Sequence, residues 1–135
     1  MRYHLFIDGA SLGNPGRAGI GYILVNDEGD VLYAVAKFLG ETTNNVAEYT
    51  ALIEGLKLAV KVAHGGEVVI YTDSELVYKQ IGGEYKVKNS KLKPLFSKAV
   101  RLLKKLKAKL KYVPREKNKL ADRLAGIGAK KVNLQ

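Results

Sequence analysis

Two short apolar runs, Tyr3-His4-Leu5-Phe6-Ile7 and Val68-Val69-Ile70-Tyr71-Thr72, each close on an aspartate, Asp8 and Asp73. Between them Val46, Tyr49, Leu52, Ile53, Leu56, Ala59 and Val60 recur at helical spacing, until Gly65-Gly66 stops the helix after His64. Strand, helix and strand in that order read as a right-handed crossover between parallel strands. Parallel pairing sets Asp8 and Asp73 at one carboxyl edge, where open α/β sheets place their sites. A carboxylate at the mouth of a buried strand is costly unless its charge is compensated. Glu48 lies one turn before Leu52 and two before Leu56, so it points at the sheet from the helix end nearest that edge. Asp122, early in a C-terminal helix and on a face with the small residues Ala125 and Gly126, is placed to join them.

The remaining pattern fills in one α/β domain over residues 1–135. Residues 2–8 read as a buried strand and Gly9–Gly16 as a glycine-punctuated loop. Residues 19–26 and 30–38 are strands joined by the Asp27-Glu28-Gly29 turn. Thr42-Thr43-Asn44-Asn45 offers N-cap chemistry for the crossover helix. After the strand at 67–72, Asp73-Ser74 starts a short helix reaching Ile81. Pro94 opens a longer helix with a stripe of Leu95, Ala99, Leu102, Leu103 and Leu106. Residues 110–113 form a fifth strand, and a final helix runs from Lys119 to Lys130.

Composition excludes several classes. With no cysteine there is no disulfide framework, thiolate metal site or cysteine nucleophile. No apolar run approaches the ~20 residues needed to span a bilayer, and no signal-peptide core follows Met1, so the expectation is a cytoplasmic protein with no membrane partner. The formal charge is +10, unevenly spread: residues 85–131 hold 17 of the 23 Lys and Arg but only two acids. The first 84 residues hold 6 basic and 11 acidic residues. A basic rear half favours a polyanionic partner, most often nucleic acid. A solvated lysine-rich surface is the plainer reading of the same charge.

Like charges gathered in one crevice raise one another's pKa, and hard divalent cations remove that strain. All-oxygen ligation selects Mg²⁺, with Mn²⁺ as its substitute. Taken singly, each acid also has an ordinary role: Asp73 as an N-cap, Asp8 as a turn residue, Glu48 and Asp122 as first-turn dipole partners.

The residues around the acids carry a family pattern. Asp8-Gly9-x-x-x-Gly13-Asn14-Pro15-Gly16, Thr42-Thr43-Asn44-Asn45-x-x-Glu48, Thr72-Asp73-Ser74 and Asn118-x-x-x-Asp122 follow in order along nearly the whole chain. The sequence resembles type 1 ribonuclease H. That resemblance implies a five-stranded mixed sheet, with strands 1, 2 and 3 antiparallel, strands 1, 4 and 5 parallel, and helices on its flanks. It implies cleavage of the RNA strand of RNA–DNA hybrids, leaving 5′-phosphate and 3′-hydroxyl ends. It makes Asp8, Glu48, Asp73 and Asp122 the metal-binding catalytic acids of a displacement at phosphorus assisted by two ions. It brings Asn14 and Asn45 near the RNA strand and Thr43 near a DNA phosphate, and it adds Gly9, Asn44 and Asn118 to the substrate-binding set. A 2′-hydroxyl is what separates RNA from DNA, and a side-chain amide can both donate to it and accept from it.

Two departures stand out. The histidine that many members carry before the last helix is absent from Pro114-Arg115-Glu116-Lys117-Asn118, so Arg115 is the candidate for its place. The interval between Gly83 and Pro94 is too short for the Trp-bearing basic insertion of many bacterial members, leaving the Lys-rich face of residues 86–111 to compensate. A monomer is expected. Other readings stay open: a silent nucleic-acid-binding module, a nuclease for double-stranded RNA or junctions, or half of a phosphotransferase whose other domain 135 residues cannot hold.

Overall fold

A computed structural model of the chain describes residues 1–131. Strands β1 (Arg2–Ser11), β2 (Gly16–Asn26), β3 (Val31–Thr42), β4 (Glu67–Thr72) and β5 (Lys107–Tyr112) form one sheet in the order β3-β2-β1-β4-β5. β1, β2 and β3 pair antiparallel, whereas β1, β4 and β5 pair parallel, as the resemblance implied. The helices are α1 (Asn44–Val62), α2 (Glu75–Ile81), α3 (Leu92–Lys105) and α4 (Lys119–Lys130), with a 3₁₀ turn over Arg115–Lys117 before α4. No helix among the described residues is long and apolar enough to cross a membrane.

The central strand β1 is covered on both faces. Leu5 and Ile7 meet α1 at Gly55, inside a core that also takes in Leu52, Leu56, Val68 and Ile70. α3 packs on α1 through Leu92 and Ala99. On the other face α4 lies against β1, β2 and β3. Its approach depends on missing side chains: a Cβ on Gly21 would stand 2.5 Å from the Ala121 carbonyl oxygen, and one on Gly19 would strike the Ala129 backbone.

Several boundaries differ from the sequence reading. β1 continues through Gly9, Ala10 and Ser11, which pair with Ile20, Gly19 and Ala18, so the loop shrinks to residues 12–15. β3 runs on to Thr42, and β5 begins at Lys107. Lys107, Lys109 and Lys111 are exposed while Ala108 and Leu110 turn to the core, a two-residue alternation hidden by its lysines. α3 starts at Leu92 because the Asn89 side chain accepts the Lys91 and Leu92 N–H groups, and Pro94 sits in the first turn, where a missing N–H costs little. Finally, Gly126 faces open space, and the packing face of α4 is Ala121, Ala125, Gly128 and Ala129.

Candidate active site

β1 outruns β4. The last parallel pair is Phe6 with Tyr71, so Asp8 lies beyond it, level with the end of β4 where Asp73 follows Thr72. The crossover helix begins at the same edge and delivers Glu48 from its first turns. Carboxylate oxygens of Asp8, Glu48 and Asp73 all lie within 4.8 Å of one another. Asp8 is only 4% exposed and Glu48 only 7%. Gly9 makes this possible twice over: its N–H donates to Glu48 Oε1 at 2.7 Å, and any Cβ there would collide with the Ala47–Glu48 backbone.

Asp73 is not the cap of α2. The Ser74 hydroxyl accepts the Val77 N–H at 3.2 Å, and Thr72 Oγ1 accepts the Ser74 N–H at 3.1 Å. Both neighbours take the structural work, which leaves the Asp73 carboxylate to the crevice. Asn118 Nδ2 donates to Asp73 Oδ2 at 3.4 Å and to the Ile7 carbonyl at 2.9 Å. Asp122 stands slightly apart on the first turn of α4, half-buried, with Arg115 Nη2 3.4 Å from its Oδ1.

Burial drives the electrostatics. It pushes the Asp8 carboxyl up to about 10, with the charges of Glu48 and Asp73 adding to the rise and Asp122 contributing a hydrogen bond and its own charge. Glu48 rises to about 8 through burial, opposed by the Gly9 N–H and reinforced by Asp73. The acids line a cavity of about 310 Å³ together with Gly9, Asn44 and Arg115. Such an all-oxygen donor set, crowded and deprived of water, suits a hard divalent cation.

The remaining expected residues fall into two groups. Asn44 lines the cavity; Asn14 Oδ1 accepts its N–H at 3.1 Å; Thr43 caps α1 by accepting the Val46 N–H at 3.3 Å; Asn45 is exposed beside them. These four form a polar rim at the start of α1. Asn118 lies apart from that rim: it is 1% exposed, and its amide nitrogen donates to the Ile7 carbonyl and to Asp73. The sequence reading also missed Ala10 and Ser11, which line the cavity because β1 extends past Asp8. The Ser and Thr flanking Asp73 were the available signal for its freedom from capping.

A family model described as reverse transcriptase-like matches residues 6–127, a span containing all four acids. The crystal structure of RNase H1 from the archaeon Halobacterium salinarum aligns with a TM-score of 0.89 at 36% identity, covering 95% of this chain and 97% of that one. The chain belongs to the ribonuclease H family. Another ribonuclease H, LC11-RNase H1 in complex with an RNA/DNA hybrid, aligns with a TM-score of 0.84 at 39% identity, over 92% of this chain and 94% of that one. A bifunctional protein of Mycobacterium tuberculosis is 41% identical over 127 residues, 93% of this chain. The chain spans 35% of that relative's length. Within this ribonuclease H fold the acids occupy the carboxyl edge of the parallel strands.

Proposed function

We propose that the chain is an endonuclease that hydrolyses the RNA strand of RNA–DNA hybrids and leaves 5′-phosphate and 3′-hydroxyl ends. The observation that carries this reading is the convergence of Asp8, Glu48 and Asp73 within 4.8 Å in a largely buried setting. The hybrid bound to the related LC11 enzyme supports the choice of substrate.

Asp8, Glu48, Asp73 and Asp122 would hold two divalent cations, Mg²⁺ or Mn²⁺ in its place, which supply Lewis-acid activation at the scissile phosphate. Gly9 fixes the Glu48 carboxylate, and Asn118 fixes that of Asp73, so the ligands are oriented before substrate arrives. The amides of Asn14, Asn44 and Asn45 meet the sugar edge of the RNA strand, while Thr43 and the start of α1 receive a phosphate of the DNA strand. Arg115, exposed beside Asp122, brings positive charge to the departing phosphate. The reading is completed by a cytoplasmic monomer in which residues 1–135 make one ribonuclease H domain.

One labelled sequence, incubated with Mg²⁺ as hybrid, RNA duplex, DNA duplex and branched junction, tests the proposal. Cleavage confined to the RNA of the hybrid is expected, and Asp8→Asn should abolish it while hybrid binding survives. Preferential cleavage of RNA duplex or junction, or an active Asp8→Asn protein, would overturn it.

A further inference from the structure

The sheet face that carries α4 is not occupied across its full width. α4 packs on β1, β2 and β3, while on the same face β4 and β5 present Glu67, Val69 and Tyr71 beside Lys107, Lys109 and Lys111. The strand registers build three rungs across this half: Arg2–Glu67–Lys107, His4–Val69–Lys109 and Phe6–Tyr71–Lys111. Each rung ends in an exposed lysine on the edge strand. Alternate residues of a strand repeat every ~6.6 Å, so the three lysines leave the backbone in a single evenly spaced row.

The acids on this face are already taken. Glu67 pairs with Arg2 at 3.4 Å, and Asp27 accepts from His4 at 3.1 Å and from the Arg2 N–H at 3.2 Å. None of the three lysines takes part in an ion pair among the described residues. A groove of about 380 Å³ runs along them, its lining including Arg2, Val69, Lys107, Lys109 and Lys111 together with the Arg2-paired Glu67. At the Lys111 end β5 reaches the acid crevice, where the Val113 N–H donates to the Thr72 carbonyl at 2.9 Å, one residue before Asp73.

We infer that this groove binds the phosphate backbone of one nucleic-acid strand, the single-stranded flank of a hybrid whose paired part occupies the acid crevice. A single row of cations matches one backbone, not the two of a duplex. The choice of nucleic acid as partner rests on the proposed nuclease reading; the groove and its charge do not. Edge-strand lysines also discourage strand addition, a role that requires neither a groove nor a matched anion.

The test is fluorescence anisotropy of a labelled 20-nucleotide oligothymidylate in EDTA over a salt series, with no cleavage readout. Lys107→Gln/Lys109→Gln/Lys111→Gln is compared with Lys98→Gln/Arg101→Gln/Lys104→Gln, which removes the same charge from the exposed face of α3. The β5 triple should weaken binding at least tenfold and lower the salt slope by about 2, three contacts at ~0.7 each for a single strand. The α3 triple should do clearly less. Equal losses in the two triples, an unaffected β5 triple, or displacement of the oligonucleotide by polyglutamate as readily as by unlabelled oligonucleotide would overturn the inference. Inactivity of the wild-type protein on every nucleic acid tried would remove the nuclease reading without touching this binding result.

Discussion

Replacing Gly21 with alanine inserts one methyl group between β2 and α4, opposite Asp8 in the strand pair. The new Cβ would stand 2.5 Å from the Ala121 carbonyl oxygen, 2.5 Å from the Ala125 nitrogen and 2.6 Å from Leu124 Cβ. Two of those atoms are backbone of a helix that cannot rotate out of the way. Bringing the contacts out to ~3.5 Å requires α4 to retreat by about 1 Å. Asp122 sits between those two positions, so it moves with them. Overpacking of this kind costs about 1–3 kcal/mol, and a 1 Å displacement of a catalytic group costs about 10²-fold in rate. Denaturant unfolding and hybrid hydrolysis measure the two effects separately. Gly126→Ala in the same helix is the control: nothing lies within 4 Å of its added Cβ, so it should gain up to ~1 kcal/mol of helix stability at unchanged activity. A Gly21→Ala protein as stable and active as the Gly126→Ala protein would refute the close-approach argument.

Three further outcomes follow from the site. Asn118→Ala strips the buried Ile7 carbonyl and the Asp73 carboxylate of a donor, so it should destabilise by about 1–3 kcal/mol and raise the Mg²⁺ concentration needed for half-maximal hydrolysis. Arg115→Ala removes a guanidinium that is 79% exposed, so the urea midpoint should stay within experimental error while hydrolysis of the hybrid slows several-fold. In EDTA, stability should fall as pH rises. Asp8 and Glu48 go from ordinary values of 3.8 and 4.5 to about 10 and about 8 on folding, so between those limits the native state holds more protons than the unfolded chain. Urea midpoints rising from pH 5 to pH 8.5 would contradict that sign.

The sequence exposed the frame of the site because its signals are local. An apolar run that stops at Asp8 or Asp73 declares a strand end, and the helical register of Glu48 with Leu52 and Leu56 fixes the face it uses. What stayed hidden depends on partners distant in the chain. Gly19 and Gly21 fall inside the strand read at 19–26, and only the approach of α4 shows why no side chain fits there. Asn118 belongs to a motif, yet an asparagine that binds a substrate and one that braces a carboxylate look the same until burial is known. The start of β5 was concealed by charge: Lys-Ala-Lys-Leu-Lys has the period of a strand but the composition of a solvated helix tail.

The most direct test of the account is thermal unfolding at pH 8 of wild-type protein and Asp8→Asn, each with EDTA and with saturating Mg²⁺. Burying the Asp8 carboxyl, with the charges of Glu48 and Asp73 adding to the cost, forces it to hold a proton at pH 8 that the unfolded chain has lost. Asp8→Asn should therefore melt higher than wild type in EDTA. Mg²⁺ at about 100 times its dissociation constant should stabilise wild type by about 2.7 kcal/mol and the variant by far less. A wild-type melting temperature indifferent to Mg²⁺, together with an Asp8→Asn protein that melts lower in EDTA, would contradict a crevice built to receive divalent cations.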